Sequence, residues 1–281
     1  MTKHPRAAIT GWPVAHSRSP LVHGYWLKKH GLEGDYGRQA VAPEEAEDFY
    51  RSFTTSGLVG GNVTIPHKEL AARICDHLDE AARAMGAVNT LWLGEDGSLW
   101  GANTDGLGFL GNMDQHQPGW DSRVGSAVVL GAGGAARAII YSLLQRGVKT
   151  VHIVNRTLEN ARKLQDEFGP ATMAHSWDKL GDLLGTADLL VNTTSLGMTG
   201  KPPLEIDLSP LATHAIVTDA IYVPLRTELL KQAEARGNPT VDGLGMLLHQ
   251  AVPGFERWFG VRPEVDEALR QVIIDDLEAQ G

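Results

Sequence analysis

A single cysteine, Cys75, is all the thiol this 281-residue chain carries. No internal disulfide can form, which fits a reducing compartment such as the cytosol. Cys75 and His77 lie close together, yet nothing nearby supplies the remaining ligands of a metal centre. The eleven histidines are scattered singly, so no metal is expected. Long hydrophobic runs are missing too, and none approaches the length of a membrane span. The opening MTKHPRAAITGWP is basic but reaches Gly and Pro before any adequate apolar stretch, so no signal peptide is read there. Positive charge is also scarce. With 25 Lys and Arg against 34 Asp and Glu, the net charge of −9 argues against a nucleic-acid binder, which would carry a basic face or stripe. Low-complexity tracts and internal repeats are absent. The remainder, 42% apolar and 21% charged, is ordinary for a soluble globular protein, and the length suits one large domain or two modest ones.

Residues 6–10 read as a first strand closed by GWP. A polar loop, VAHSRSP, leads to a helix from Pro20 to about His30, with Ser19 and Pro20 suited to N-cap and N1 and Gly31 to the stop. EEAEDFYRSF is helix-like, and LVGGNVTIP follows as a strand. KELAARICDHLDEAARAM predicts one helical stretch with Leu70, Ile74, Leu78 and Ala81 on one side. NTLWLGEDGSLWGANTDG predicts a hairpin turning at Glu95-Asp96-Gly97. After a Gly/Pro-rich passage at 111–120, the pattern becomes strand, glycine turn, helix, strand. Further strands are expected at 187–194 and 215–222, with helices at Leu158 to Phe168 and around Ser176–Leu184. Strands alternating with helices imply right-handed βαβ units and a parallel sheet covered on both faces. From Gly243 onward the chain is helical again.

The glycine turn has full context: strand Ala127–Leu130, then Gly131-Ala132-Gly133-Gly134-Ala135-Ala136, then a helix to about Arg146. Gly131 permits the tight turn, Gly133 lets a pyrophosphate approach, and Ala136 is small enough for helix and strand to pack. Free N–H groups at the helix N-terminus suit phosphates. The next strand ends in Asn155-Arg156-Thr157, where an NAD enzyme would usually place an acid on the ribose 2′-hydroxyl. A guanidinium and a hydroxyl there suit a 2′-phosphate, so NADP is the expected cofactor.

NVTIPHK (62–68) raises a different question. Its β-branched residues suit a packed strand, Pro66 ends that strand, and Lys68 then stands at the mouth of an apolar segment. On the residues alone, a solvated lysine and a placed catalytic group both remain open.

GWPVAHSRSP, NVTIPHK, GAVNT (86–90), NTDG (103–106), GAGGAARA, NRT, VNTTSLGM (191–198) and DGLGMLLHQA (242–251) occur in this order. Together they resemble the shikimate dehydrogenase family over nearly the whole chain. The resemblance implies an NADP-dependent interconversion of 3-dehydroshikimate and shikimate in the chorismate and aromatic amino-acid pathway. It implies that Lys68 and Asp105 form the catalytic pair, and that Ser17 and Ser19 hold the substrate carboxylate. Thr64, Asn89 and Gln250 would bond the ring hydroxyls, Lys68 and Asp105 would also touch substrate, and Tyr222 would approach from the nucleotide domain. On the cofactor side it implies Gly131, Ala132, Gly133, Gly134 and Ala135, then Asn155, Arg156 and Thr157. Asn192, Thr193, Thr194 and Ser195 would line the ribose–nicotinamide side, with Ala220 near that ring and Gly243 admitting it to the backbone. Ala220 stands where relatives commonly have a larger apolar residue. Pro253 departs from the usual continuous helix and should kink or end it, which bears on the aim of Gln250.

The expected fold is α/β with two domains: a substrate domain (1–107), a doubly wound Rossmann-like NADP domain (108–242) and C-terminal helices (243–281) returning to the first, with a cleft between the domains. The expected protein is cytoplasmic, a monomer or homodimer. Two rival readings are a quinate/shikimate dehydrogenase of broader specificity and a non-catalytic NADP-binding regulatory paralogue.

Overall fold

The computed structural model describes residues 4–280, so the first three residues of the opening stretch lie outside the description. The chain divides into two compact units. One runs to Asp105 and resumes at Leu248; the other comprises Gly106–Leu247.

The first unit is built on a six-stranded mixed sheet. Its strands are β1 (Arg6–Gly11), β2 (Asp35–Ala40), β3 (Gly60–Val63), β4 (His77–Leu78), β5 (Thr90–Leu93) and β6 (Leu99–Ala102), in the order β2-β1-β3-β5-β6-β4. β1 is parallel to β2 and β3, whereas β3–β5 and β5–β6 are antiparallel. The β5–β6 hairpin turns where expected, with Gly97 in the left-handed region at φ 82°. Helices α1 (Ser19–Lys29), α2 (Ala46–Arg51), α3 (Lys68–Ile74) and α4 (Glu80–Met85) connect the strands. Tyr50 of α2 and Ala71 of α3 pack in one core with Phe53, Val88 and Leu91.

Local structure departs from the sequence reading in three places. Helix α1 starts at Ser19, with Arg18 in the capping position and no side-chain cap bond. Ser19 is therefore inside the first turn, where its N–H meets Ser17 Oγ at 3.3 Å. The single helical stretch expected over 68–85 does not form. Leu99 N–H donates to Asp76 Oδ2 at 2.7 Å, and Asp79 N–H to the Gly101 carbonyl at 2.9 Å, which draws the segment into β4 beside β6. Asp79 then caps α4 by accepting from Ala82 N–H at 2.6 Å. Third, residues 111–116 of the Gly/Pro-rich passage end a helix that was not expected, α5 (Asp105–His116). Its glycines serve close packing: a Cβ on Gly106 would lie 2.1 Å from Ser142 Oγ.

The second unit holds β7 (Ser126–Leu130), β8 (Thr150–Val154), β9 (Thr172–His175), β10 (Leu189–Asn192), β11 (Ile216–Asp219) and β12 (Thr240–Val241). All are parallel, in the order β12-β11-β10-β7-β8-β9. Helices α6 (Gly134–Gln145), α7 (Leu158–Phe168), α8 (Leu180–Leu184) and α9 (Glu228–Ala235) connect them. Alternate strand residues feed two cores. Val129, Val151 and Val191 pack with Ile139 and Leu143, while Val128, Leu130 and Leu190 pack with Leu184 and Leu229. Covering both faces explains why these strands read as unbroken apolar runs. The winding reverses at β7, so the chain after β7 and after β10 emerges at a topological switch point, where doubly wound sheets bind ligands.

Residues 243–247, expected with the C-terminal helices, cluster with the second unit. Asn112 explains part of this, since its Nδ2 donates to the Asp242 carbonyl at 2.6 Å and its side chain abuts Gly245. The last helices are α10 (Leu244–His249), α11 (Val252–Phe259) and α12 (Glu267–Gln280). The break at Gln250-Ala251 puts Pro253 in the first turn of α11, where its missing N–H costs nothing. Trp258 anchors α11 to the first sheet by donating Nε1–H to the Leu91 carbonyl at 2.8 Å.

Among the described residues, no helix is long and apolar enough to cross a membrane. None of their His, Cys, Asp and Glu side chains form a group of three or more that could hold a metal ion.

Candidate active site

In the first unit β3 stops at Val63, although Thr64 N–H still reaches the Thr10 carbonyl at 2.9 Å. Pro66 supplies no donor, and α3 begins at Lys68. Lys68 Nζ donates to Asp105 Oδ2 at 2.7 Å. Asn89 Nδ2 donates to the other oxygen, Oδ1, also at 2.7 Å. The Asn89 amide has only one workable orientation. Its Oδ1 accepts the Thr104 N–H at 2.9 Å and the Thr104 hydroxyl at 3.1 Å, so its NH2 must face Asp105. Asp105 thus has a donor on each oxygen, one of them charged, a strong and directional arrangement. The Lys68 and Asp105 side chains are 28% and 15% exposed, so the pair is partly desolvated yet reachable.

Of the other residues expected at the substrate, Ser17, Ser19, Thr64 and Gln250 belong to the same unit as this pair. Ser17 Oγ donates to Ser19 Oγ at 3.2 Å. Their loop is pinned by Arg38, which donates to the Ser17 carbonyl at 2.7 Å, and by the Arg18–Asp276 ion pair at 2.9 Å. Thr64 and Gln250 are half-buried. The Gln250 carbonyl accepts from the Thr104 hydroxyl at 2.8 Å, which ties the helix break to the loop before Asp105. The sequence reading passed over Asn62. Its Oδ1 accepts from the Tyr36 hydroxyl at 2.6 Å and its Nδ2 donates to the Asn89 carbonyl at 3.1 Å. A neutral polar side chain inside an apolar strand was the available signal, because such a group needs partners when buried. Tyr222 belongs to the second unit, half-buried just after β11.

In the second unit Gly131 has φ 108°, and a Cβ there would lie 2.6 Å from Thr193 Oγ1. Both conditions demand glycine. A Cβ on Gly133 or Gly134 would meet no atom within 4 Å, which leaves open space over the first turn of α6. No side chain caps that helix, and its first-turn amides have no intrahelical acceptors. Ala132 and Ala135 flank the opening half-buried, while Ala136 is fully buried against the strand. Asn155 Nδ2 donates to the Thr157 carbonyl at 2.8 Å and shapes the next turn, leaving Arg156 and Thr157 exposed. Arg156, Asn155, Thr194 and Ser195 border a depression of about 690 Å3 that Trp177 and Glu205 also line. Neither of the last two was anticipated. Open glycines, uncapped amides and a free guanidinium fit a phosphorylated dinucleotide.

Asn192 is placed differently. It is fully buried, with Nδ2 donating to Asp219 Oδ1 at 3.0 Å and Oδ1 accepting from the Thr194 N–H at 3.0 Å. Its side chain therefore faces the protein, and only its backbone is available to a ligand. The Thr193 hydroxyl donates to the Leu130 carbonyl at 2.6 Å, and Ser195 is exposed. Gly243 abuts protein backbone: a Cβ there would lie 2.5 Å from the Ala220 carbonyl carbon. Asp219, also unanticipated, is buried, and burial pushes its carboxyl up to about 6 despite three donors.

Family comparison matches residues 9–91 to the shikimate dehydrogenase substrate binding domain. Residues 116–198 match shikimate / quinate 5-dehydrogenase, and residues 243–273 match the shikimate 5′-dehydrogenase C-terminal domain. The shikimate dehydrogenase (NADP(+)) of Azorhizobium caulinodans is 59% identical over 276 residues, covering 98% of each chain. The quinate dehydrogenase of Corynebacterium glutamicum, solved with NAD, superposes with a TM-score of 0.88 at 29% identity, over 97% of this chain and 99% of the other. The shikimate 5-dehydrogenase of Thermus thermophilus, solved with NADP(H) and shikimate, gives 0.84 at 34% identity, over 95% and 99%.

Proposed function

The chain belongs to the shikimate dehydrogenase family, and from that premise we propose that it catalyses the reversible, NADP-dependent reduction of 3-dehydroshikimate to shikimate, a step toward chorismate and the aromatic amino acids. The observation that carries this reading is the Lys68–Asp105 contact at 2.7 Å, with Asn89 on the second carboxylate oxygen. The first unit is then the substrate domain and the second the NADP domain. Compartment follows the same reading: a biosynthetic enzyme with one cysteine, working in the cytoplasm.

Bound NADP supplies the hydride acceptor, and NADPH the donor, at the substrate carbon. The chain's own residues manage the proton. In the reducing direction Lys68 Nζ carries the proton that ends on the ketone oxygen, and its positive charge stabilises negative charge developing there. In the oxidising direction the hydroxyl proton leaves to the same nitrogen. Asp105 Oδ2 fixes where Nζ sits, while Asn89 keeps the carboxylate from rotating. Ser17 and Ser19 hold the substrate carboxylate, and Thr64, Asn89 and Gln250 take the ring hydroxyls. Sites that bond substrate hydroxyls discriminate strongly, because a missing partner leaves a buried polar group unpaired. Arg156 and Thr157 take the 2′-phosphate, and residues 131–135 the pyrophosphate.

Initial rates with shikimate and quinate, each with NADP and NAD, test the proposal. Fast turnover with shikimate and NADP alone supports it. Equal rates with quinate or NAD would favour the quinate/shikimate dehydrogenase of broader specificity. No turnover on any of these, with NADPH still bound, would favour a regulatory paralogue.

A further inference from the structure

Asp219 ends β11 and is 1% exposed, yet no step above uses it. Its Oδ1 accepts from Asn192 Nδ2 at 3.0 Å and from the Ile221 N–H at 3.0 Å. Its Oδ2 accepts from the Thr227 hydroxyl at 2.8 Å. Asn192 passes the constraint on. Its Oδ1 takes both the N–H and the hydroxyl of Thr194, at 3.0 and 2.8 Å, and the Thr194 hydroxyl in turn accepts the Leu196 N–H at 3.1 Å. One carboxylate oxygen therefore fixes two chain segments that leave adjacent strands, 193–196 after β10 and 220–222 after β11. The other oxygen serves a separate purpose, holding Thr227 at the N-cap of α9.

We propose that Asp219 is a positioning residue that aligns the 193–196 and 220–222 segments for the nicotinamide end of NADP. The inference rests on the NADP reading above and adds a residue to it that touches neither cofactor nor substrate. The alternative role for a buried carboxylate with three donors is stability alone. The two oxygens separate these roles, because loop alignment runs through Oδ1 and the helix cap through Oδ2.

Three variants of the full chain test this: Asp219→Asn, Asn192→Ser and Thr227→Val, each with KM for NADP and for shikimate, kcat and Tm measured well below unfolding. Asp219→Asn should raise KM for NADP by about tenfold or more, the scale of weakening a charged hydrogen bond, with KM for shikimate nearly unchanged. Asn192→Ser should do the same, and it keeps the α9 cap intact should Asp219→Asn fail to fold. Thr227→Val should lower Tm and leave KM for NADP as in the parent protein. Folded Asp219→Asn or Asn192→Ser with an unchanged KM for NADP would overturn the inference. So would a Thr227→Val protein that raises KM as much, since stability alone would then explain the network. A parent protein that does not use NADP would instead overturn the underlying reading.

Discussion

In the first unit the polar groups already have protein partners: Asp105 has a donor on each oxygen, and Asn89 uses both ends of its amide. In the second unit Gly133 and Gly134 face open space, and Arg156 is exposed beside the depression. The difference suits the two tasks proposed for these sites. A proton-transferring group gains from being aimed before the substrate arrives, because reorganisation during the reaction raises the barrier. A phosphate site needs accessible donors that can exchange water for the ligand. In the positioning role proposed for it, Asp219 would apply the first strategy one layer deeper, with a satisfied carboxylate behind an open site.

The largest effect should come from disturbing the satisfied pair. Asp105→Asn removes the charge that fixes Lys68 Nζ, and kcat should fall by about a thousandfold with Tm little altered. Steady-state kinetics and a thermal melt check this; a drop of less than about tenfold would mean the contact does not organise catalysis.

Asp219 gives an effect of opposite sign to the usual carboxylate. Its folded-state value of about 6 lies above that of an unfolded aspartate, so the native state holds the proton more tightly. Stability from this group is therefore fully present below the unfolded value and is lost as pH rises to about 6. Between pH 4 and 7.5 the stability of Asp219→Asn relative to the parent should improve by up to about 3 kcal/mol, read from urea melts at both values. A pH-independent difference would contradict the assignment.

On the open side, Arg156→Ala should raise KM for NADP by about thirtyfold and leave KM for NAD unchanged, which isolates the 2′-phosphate contact. Equal losses with both cofactors would place Arg156 elsewhere on the nucleotide. The smallest effect should follow Ser17→Ala, with KM for shikimate rising about tenfold and KM for NADP constant.

The glycine turn was legible because its requirements are local. A left-handed Gly131, an approachable Gly133 and a small Ala136 follow from one strand–turn–helix unit, and Arg156 stands where the next strand ends. The Lys68–Asp105 pair was legible only by family resemblance, since 37 residues separate the two and no period links them. What escaped depends on distant partners. The helical stretch expected over 68–85 is broken by Asp76 and Asp79 bonding to β6, and α5 went unread because Gly106 packs against Ser142 and Asn112 bonds the Asp242 carbonyl, contacts that no local pattern reveals. Asn62 and Asp219 were missed for the same reason. A polar residue's role is set by what it faces, and Tyr36 and Asn192 lie 26 and 27 residues away from them.

In the proposed mechanism Lys68 carries the proton at a site held in place by Asp105. The most direct test is Lys68→Ala, with affinities for shikimate and NADPH measured alongside single-turnover rates. Affinities should stay within about threefold of the parent, with the chemical step slowed by about a thousandfold. A variant that binds both ligands and turns over at nearly the parent rate would contradict it.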